Sequence, residues 1–174
     1  MATANGGPIG VNGADGARAL EGAALEALAL RMKQAVELRQ AGKDGDASRL
    51  LKDILKEEPR LAEPRLELAH ISAMEEDWGE AQAQARLAVR TLRAGGQWTM
   101  DVEAGVLLAF ALNLLGEVLV RPLEAGDLFL VDRARFEKVW NEAAAFFEEA
   151  KQLDPANEDA RRNRARYRPI EPGN

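Results

Sequence analysis

The chain contains no cysteine, which excludes disulfides, thiolate metal sites and thiol nucleophiles. It has one histidine, His70, so neither a histidine-rich metal site nor a two-histidine zinc motif can form. Cationic side chains are outnumbered, 23 Lys and Arg against 29 Asp and Glu, for a net charge of −6. That balance favours solubility and argues against nucleic acid, whose binding rests on neutralising phosphates. A glycine-rich phosphate loop is also missing. "NGGPIGVNG" near the start has neither the strand–turn–helix setting nor the lysine that would give it meaning. The opening "MATANGGPIGVNGADGARAL" lacks the basic region and apolar run of a signal peptide. Its composition predicts a flexible tail over residues 1–20, and the expected address is cytoplasmic.

What remains is a chain of 174 residues, 47% hydrophobic and 30% charged, enough to bury one core. Alanine and leucine dominate, β-branched residues are sparse, and prolines fall between periodic segments. The expected fold is therefore all-α. Periodicity and turn signals predict helices over 21–41, 47–57, 62–75, 79–93, 101–121, 136–153 and 157–167.

Two short stretches echo each other. "DWGEA" at 77–81 and "VWNEA" at 139–143 both carry Trp-x-Glu-Ala. Aligned on the alanine, Ala47, Leu51 and Ile54 match Ala81, Ala85 and Ala88, then Ala143, Phe147 and Ala150. Each set has +4, +3 spacing, one face of a helix. Ala47 and Ala81 are 34 residues apart, and Pro59 and Pro155 each fall twelve residues after their alanine. Two antiparallel helices at roughly 8–10 Å need a small side chain where they cross. Trp-x-Glu-Ala is thus expected to open the second helix of each pair, the glutamate favouring the N-terminal dipole.

A 34-residue period of paired helices with a terminal proline resembles the tetratricopeptide repeat. The matching motifs are "GDASRLLKDILKEEP", "DWGEAQAQARLAV" and "VWNEAAAFFEEAKQLDP", and the resemblance spans roughly residues 24–165. It implies a right-handed solenoid of about three antiparallel helix pairs plus a C-terminal capping helix, over residues 21–168, with a tail at 169–174. Two departures stand out. Arg31 takes a position where the family prefers a large apolar residue, and the third unit is modified by insertions. Ala81 to Ala143 is 62 residues, which leaves 13 extra before the third unit's first helix, around "GGQWTMDVEAG". Another 15 fall between its two helices, an insert at about 122–136.

The resemblance also implies a site. First-helix side chains of the family line a concave groove that takes a peptide or a partner's helix. By position these are Met32, Lys33, Val36 and Arg39 in the first unit. Glu63, Leu66, Glu67, His70 and Met74 follow in the second, then Phe110, Asn113, Leu114, Glu117 and Arg121 in the third. The carboxylate clamp of the family's co-chaperones is absent, since Met32, Val36 and Glu67 stand at three of its positions. No metal or cofactor is implied.

Several segments have two readings. "VEAGVLLAFALNLLGEVLV" at 102–120 is long and apolar enough to span a bilayer. Glu103, Asn113 and Glu117 interrupt it, and it keeps phase with the repeat, so a buried central helix is favoured. Within the insert, Leu128, Phe129, Leu130 and Val131 either fold back over helix 101–121 or form an added docking element. "ARRNRARYR" reads as a solvated capping helix or as a phosphate-binding patch. His70 reads as a groove-facing surface residue before a catalytic base. The expectation is a non-enzymatic adaptor or scaffold with a protein or peptide partner and no nucleic acid. Homo-oligomerisation stays open. The alternatives are a small chaperone for a secreted or assembled subunit, as in the family's small acidic bacterial secretion chaperones, and a membrane-attached assembly factor using 102–120.

Overall fold

A computed structural model describes residues 22–126 and 128–171. The expected flexible tail 1–20 and the final residues 172–174 lie outside the described residues. Among the described residues the fold is all-α: α1 (Ala23–Gln40), α2 (Asp44–Glu57), α3 (Glu63–Met74), α4 (Trp78–Arg93), α5 (Ala104–Ala125), α6 (Leu128–Val131), α7 (Arg133–Leu153) and α8 (Glu158–Arg166).

The helix ends follow from local chemistry. Residues 42, 76 and 95 have positive φ after α1, α3 and α4. At each, the next amide reaches back to the carbonyl five residues earlier: Lys43 to Leu38, Asp77 to Ser72 and Gly96 to Thr91. These are Schellman closures, which satisfy the last carbonyls of the helix. Glycine fills the left-handed position at 42 and 95; Glu76 fills it after α3. At the other ends, side chains of Asp77, Asp132 and Asn157 accept the amides of Glu80, Arg135 and Ala160, supplying N-caps to α4, α7 and α8.

Helices joined by short turns fold back on each other, α1 on α2 and α3 on α4, while α5 packs on α7. All nine residues of the +4, +3 sets, on α2, α4 and α7, are fully buried at 0% exposure. Two core clusters share α3. Leu68 and Ile71 face α1 and α2, whereas Leu66 and Ala69 face the larger cluster around α5. The Arg31 departure is accommodated outside the core, by an ion pair with Glu57 at the end of α2.

Helix α5 is the central element, contacting α3, α4, α7 and α8. Of its most apolar 18-residue window, 67% is buried inside the molecule. Two expectations about its surroundings are corrected. First, α5 does not stop at Arg121 but runs through Pro122 to Ala125. Proline has no amide proton for the Val118 carbonyl, and Gln82 Nε2 from α4 donates to that oxygen instead, at 3.1 Å. Second, the insert 122–136 is mostly helix, and α7 begins at Arg133, two turns before Trp140. Trp-x-Glu-Ala therefore opens a helix at Trp78 but lies inside one at Trp140. There Glu142 pairs with Arg86 across to α4, at 2.7 Å, instead of serving a helix terminus.

The first insertion is pinned. Arg60 O accepts from Gln97 N at 3.0 Å, and Gln97 O from Ala62 N at 3.2 Å. These tie the α4–α5 connection to the α2–α3 turn. Trp98 is buried and donates from Nε1 to Val102 O at 3.0 Å. The tail is held in part as well: Asn141 on α7 donates to Ile170 O and accepts from Ile170 N.

Candidate functional site

Helices α1, α3 and α5 are neighbours, and an open cleft runs over them. One compartment of about 450 Å3 lies between α1 and α3, lined by Met32, Lys33, Val36, Glu37, Glu67 and Met100 among others. An adjoining compartment of about 260 Å3 is lined by Leu66, Met100, Val102, Val106, Leu107 and Phe110, with Asn157 at its edge. Glu63, Glu67 and Met100 belong to both. Met100, Val106 and Phe110 are 51%, 38% and 48% exposed, an apolar surface left open to solvent.

Seven of the expected groove residues, Met32, Lys33, Val36, Glu63, Leu66, Glu67 and Phe110, line this cleft. Arg39 stands beside it and pairs with Glu67 at 2.6 Å. His70 and Met74 are exposed but lie outside the lining. Farther along α5, past Phe110, the expected groove is closed. Asn113 and Leu114 are buried at 7% and 6% exposure, because α8 packs on α5 there. Asn163 of α8 donates from Nδ2 to Asn113 Oδ1 at 3.0 Å and to Glu117 Oε1 at 2.7 Å. Asn113 Nδ2 also donates to Glu117 Oε1, so these side chains satisfy one another instead of facing a ligand. Arg121 is exposed beyond this closure.

Glu63 has a different role from the one its position implies. Its side chain is buried, 4% exposed, and its carboxylate accepts from Thr99 N, Thr99 Oγ1 and Met100 N at 2.7–2.9 Å. It is a clamp that fixes the α4–α5 loop against α3. Burial pushes its pKa above the usual carboxylate range, opposed by these hydrogen bonds. Among the described residues no cation is paired with it. Of the cleft residues missed in the sequence, Thr99, Met100, Val102, Val106 and Leu107 sit in or just after that loop, while Ala29, Glu37 and Gln40 lie on α1 and Asn157 caps α8. The signal was there: a tryptophan in a glycine-rich break has to bury its ring somewhere.

The expected covering of α5 by 128–131 does not occur. Leu128 is half-buried, but Phe129, Leu130 and Val131 are 49%, 80% and 81% exposed. Helix α6 packs on α7 instead, with Phe129 edge-on to Phe136 at 5.3 Å. Phe136 then stacks on Trp140 at 5.5 Å, which meets Tyr167 edge-on at 5.4 Å. The arginines of "ARRNRARYR" are mostly committed: Arg161, Arg162, Arg164 and Arg166 pair with Glu158, Asp159, Glu148 and Glu124. A 620 Å3 cleft beside them, lined by Lys151 and Arg168 among others, shares two of those paired guanidiniums. Among the described residues, no group of three or more His, Asp or Glu could hold a metal ion.

No protein-family model matches the sequence, and no curated protein is significantly similar to it.

Proposed function

We propose that the chain is a tetratricopeptide-like, right-handed solenoid of three helix pairs and a capping helix, acting as a non-enzymatic cytoplasmic adaptor. Its binding surface is the cleft over α1, α3 and α5. The observation that carries the reading is the open apolar floor of that cleft, with Met100, Val106 and Phe110 half-exposed beside fully buried neighbours. Exposed apolar surface of this kind on a soluble chain marks a binding site more often than a folding requirement. The repeat part of the reading is supported by three helices burying the same +4, +3 triplet and by the side-by-side placement of α1, α3 and α5. Burial of α5 favours the adaptor over a membrane-attached factor using 102–120.

A photo-crosslinking amino acid at Phe110, used in the source cell, tests this. The expected result is one discrete adduct that is shared with position 106 and absent from Lys52 on α2. Adducts of equal intensity at all three positions would remove the cleft from consideration. A second reading, a chaperone for a secreted or assembled subunit, draws on exposed Leu130 and Val131, which offer a further apolar contact. An adduct at Leu130 with none at Phe110 would favour it.

A further inference from the structure

The cleft of about 620 Å3 beside α8 shares no lining residue with the one over α1, α3 and α5. Three parts of the chain supply its cations: Lys151 from the last turn of α7, Arg161 and Arg164 from α8, and Arg168 from the segment that follows. Arg168 is held there by its backbone. Its carbonyl accepts from Trp140 Nε1 at 2.7 Å, and Ile170, two residues on, exchanges two hydrogen bonds with Asn141. Against these four cations Glu171 is the one carboxylate in the lining. Two more approach from outside it. Glu148 accepts from Arg164 Nε, which leaves both terminal nitrogens of that guanidinium without an acceptor among the described residues. Glu158 stands 3.8 Å from Arg161, too far for a hydrogen bond, and is 85% exposed, so it offsets little. The side chains of Lys151 and Arg168 donate to no group among the described residues. With Glu148 and Glu158 counted, four cations stand against three carboxylates, and the larger excess is in hydrogen-bond donors.

A concave, donor-rich surface is matched by a ligand with many acceptor oxygens, and phosphate is a group whose geometry fits guanidinium well. One phosphate fills a small part of a cleft whose volume suits a small molecule. Nucleic acid is disfavoured. The aromatic of "ARRNRARYR", Tyr167, is 3% exposed and stacked on Phe147, which leaves it no face for a base. We propose that this cleft binds a small molecule carrying two or more linked phosphate groups. Lys151, Arg161 and Arg168 supply uncommitted donors, and Arg164, braced by Glu148, presents its terminal nitrogens from a fixed position.

Calorimetric titration of the full chain at low ionic strength with tripolyphosphate, orthophosphate and ATP tests this. Tripolyphosphate is expected to bind saturably and at least about tenfold more tightly than orthophosphate. K151Q/R168Q should weaken it at least about tenfold at an unchanged melting temperature. R162Q, on α8 but outside the lining, should leave it unchanged. E171Q removes the lining carboxylate and should tighten binding about twofold or more, a gain that damage to the fold cannot mimic. ATP carries the same phosphate chain. Binding as tight as tripolyphosphate supports the proposal with a nucleotide as source, and weaker binding supports it with free polyphosphate as source. Absence of saturable binding, or equal weakening by R162Q and K151Q/R168Q, would overturn it. Orthophosphate binding as tightly as tripolyphosphate would overturn the need for linked groups. An oligouridylate RNA binding more tightly than tripolyphosphate would overturn the proposal in favour of nucleic acid.

Discussion

Gln82 Nε2 on α4 donates to the carbonyl of Val118 on α5, the oxygen that Pro122 leaves without its helical partner. One side chain thereby lets an apolar helix continue past a proline and fastens two helices together. Gln82→Ala leaves that carbonyl unsatisfied and is expected to destabilise by about 1–3 kcal/mol. Pro122→Ala restores an amide to the same oxygen, so Gln82→Ala should matter far less in that background. Urea melts of the four-member cycle give the coupling. Additive effects would mean the two residues act independently, against the geometry.

Gly116 on α5 faces Phe147 on α7, and a Cβ built at 116 would lie 2.5 Å from the ring's Cε1. The phenylalanine is fully buried and has little room to retreat. Gly116→Ala gains about 1 kcal/mol in helix propensity, but overpacking of this order costs about 1–3 kcal/mol. A net loss is expected, partly recovered when Phe147→Leu is added. A melting temperature for Gly116→Ala at or above wild type would show that the ring shifts freely.

These two contacts mark the boundary of what could be read from the sequence. The +4, +3 spacing in α2, α4 and α7 is set by helix geometry alone, so all nine positions emerged as buried. The helix expected over 101–121 continues past Pro122 because Gln82, 40 positions away in sequence from that proline, satisfies the carbonyl that the proline cannot. Part of the cleft lining was legible from helical position alone, on α1, α3 and the start of α5, from Met32 to Phe110. That position rule failed at Asn113, Leu114 and Glu117, where α8 supplies Asn163, a tertiary match with no local signature. It failed also at Glu63, expected to face a groove but buried as a clamp once the α4–α5 loop brings the Thr99 and Met100 amides to it. Of the two readings of 128–131, the fold-back over α5 is the one that does not hold. Four apolar residues in a row imply burial, yet most of α6 is exposed.

Glu76 holds the left-handed position, φ 59°, that glycine takes at 42 and 95. An L-residue there costs roughly 1–2 kcal/mol, partly returned on substitution by the greater unfolded-state freedom of glycine. Glu76→Gly is expected to stabilise by about 0.5–1 kcal/mol. Glu75→Gly, one residue earlier at φ −83°, should destabilise. If both variants melt below wild type, the Schellman closure of α3 is not strained.

Glu63 makes the site sensitive to pH in a direction opposite to that of two ion-paired carboxylates elsewhere in the fold. Glu58 and Glu148, held by Arg60 and Arg164, have pKa values below the ordinary range. Their contribution is present above the unfolded value and is lost as pH falls through the lowered one. Glu63 is raised above its ordinary 4.5 by burial. Between the unfolded and folded values the native state binds the extra proton, so its contribution is full below 4.5 and is lost as pH rises through the raised value. Comparison with Glu63→Gln isolates this group, because the other carboxylates cancel. Wild type should therefore gain stability relative to the variant as pH is lowered from 7.5 toward about 4.5. In both, hydrogen exchange at Thr99 and Met100 should track the strength of the clamp, and Glu63→Ala should speed it most. A difference between wild type and Glu63→Gln that is flat across this range, or grows with rising pH, would show that the Thr99 and Met100 donors outweigh burial. The carboxylate would then be ionised in the clamp well below neutrality.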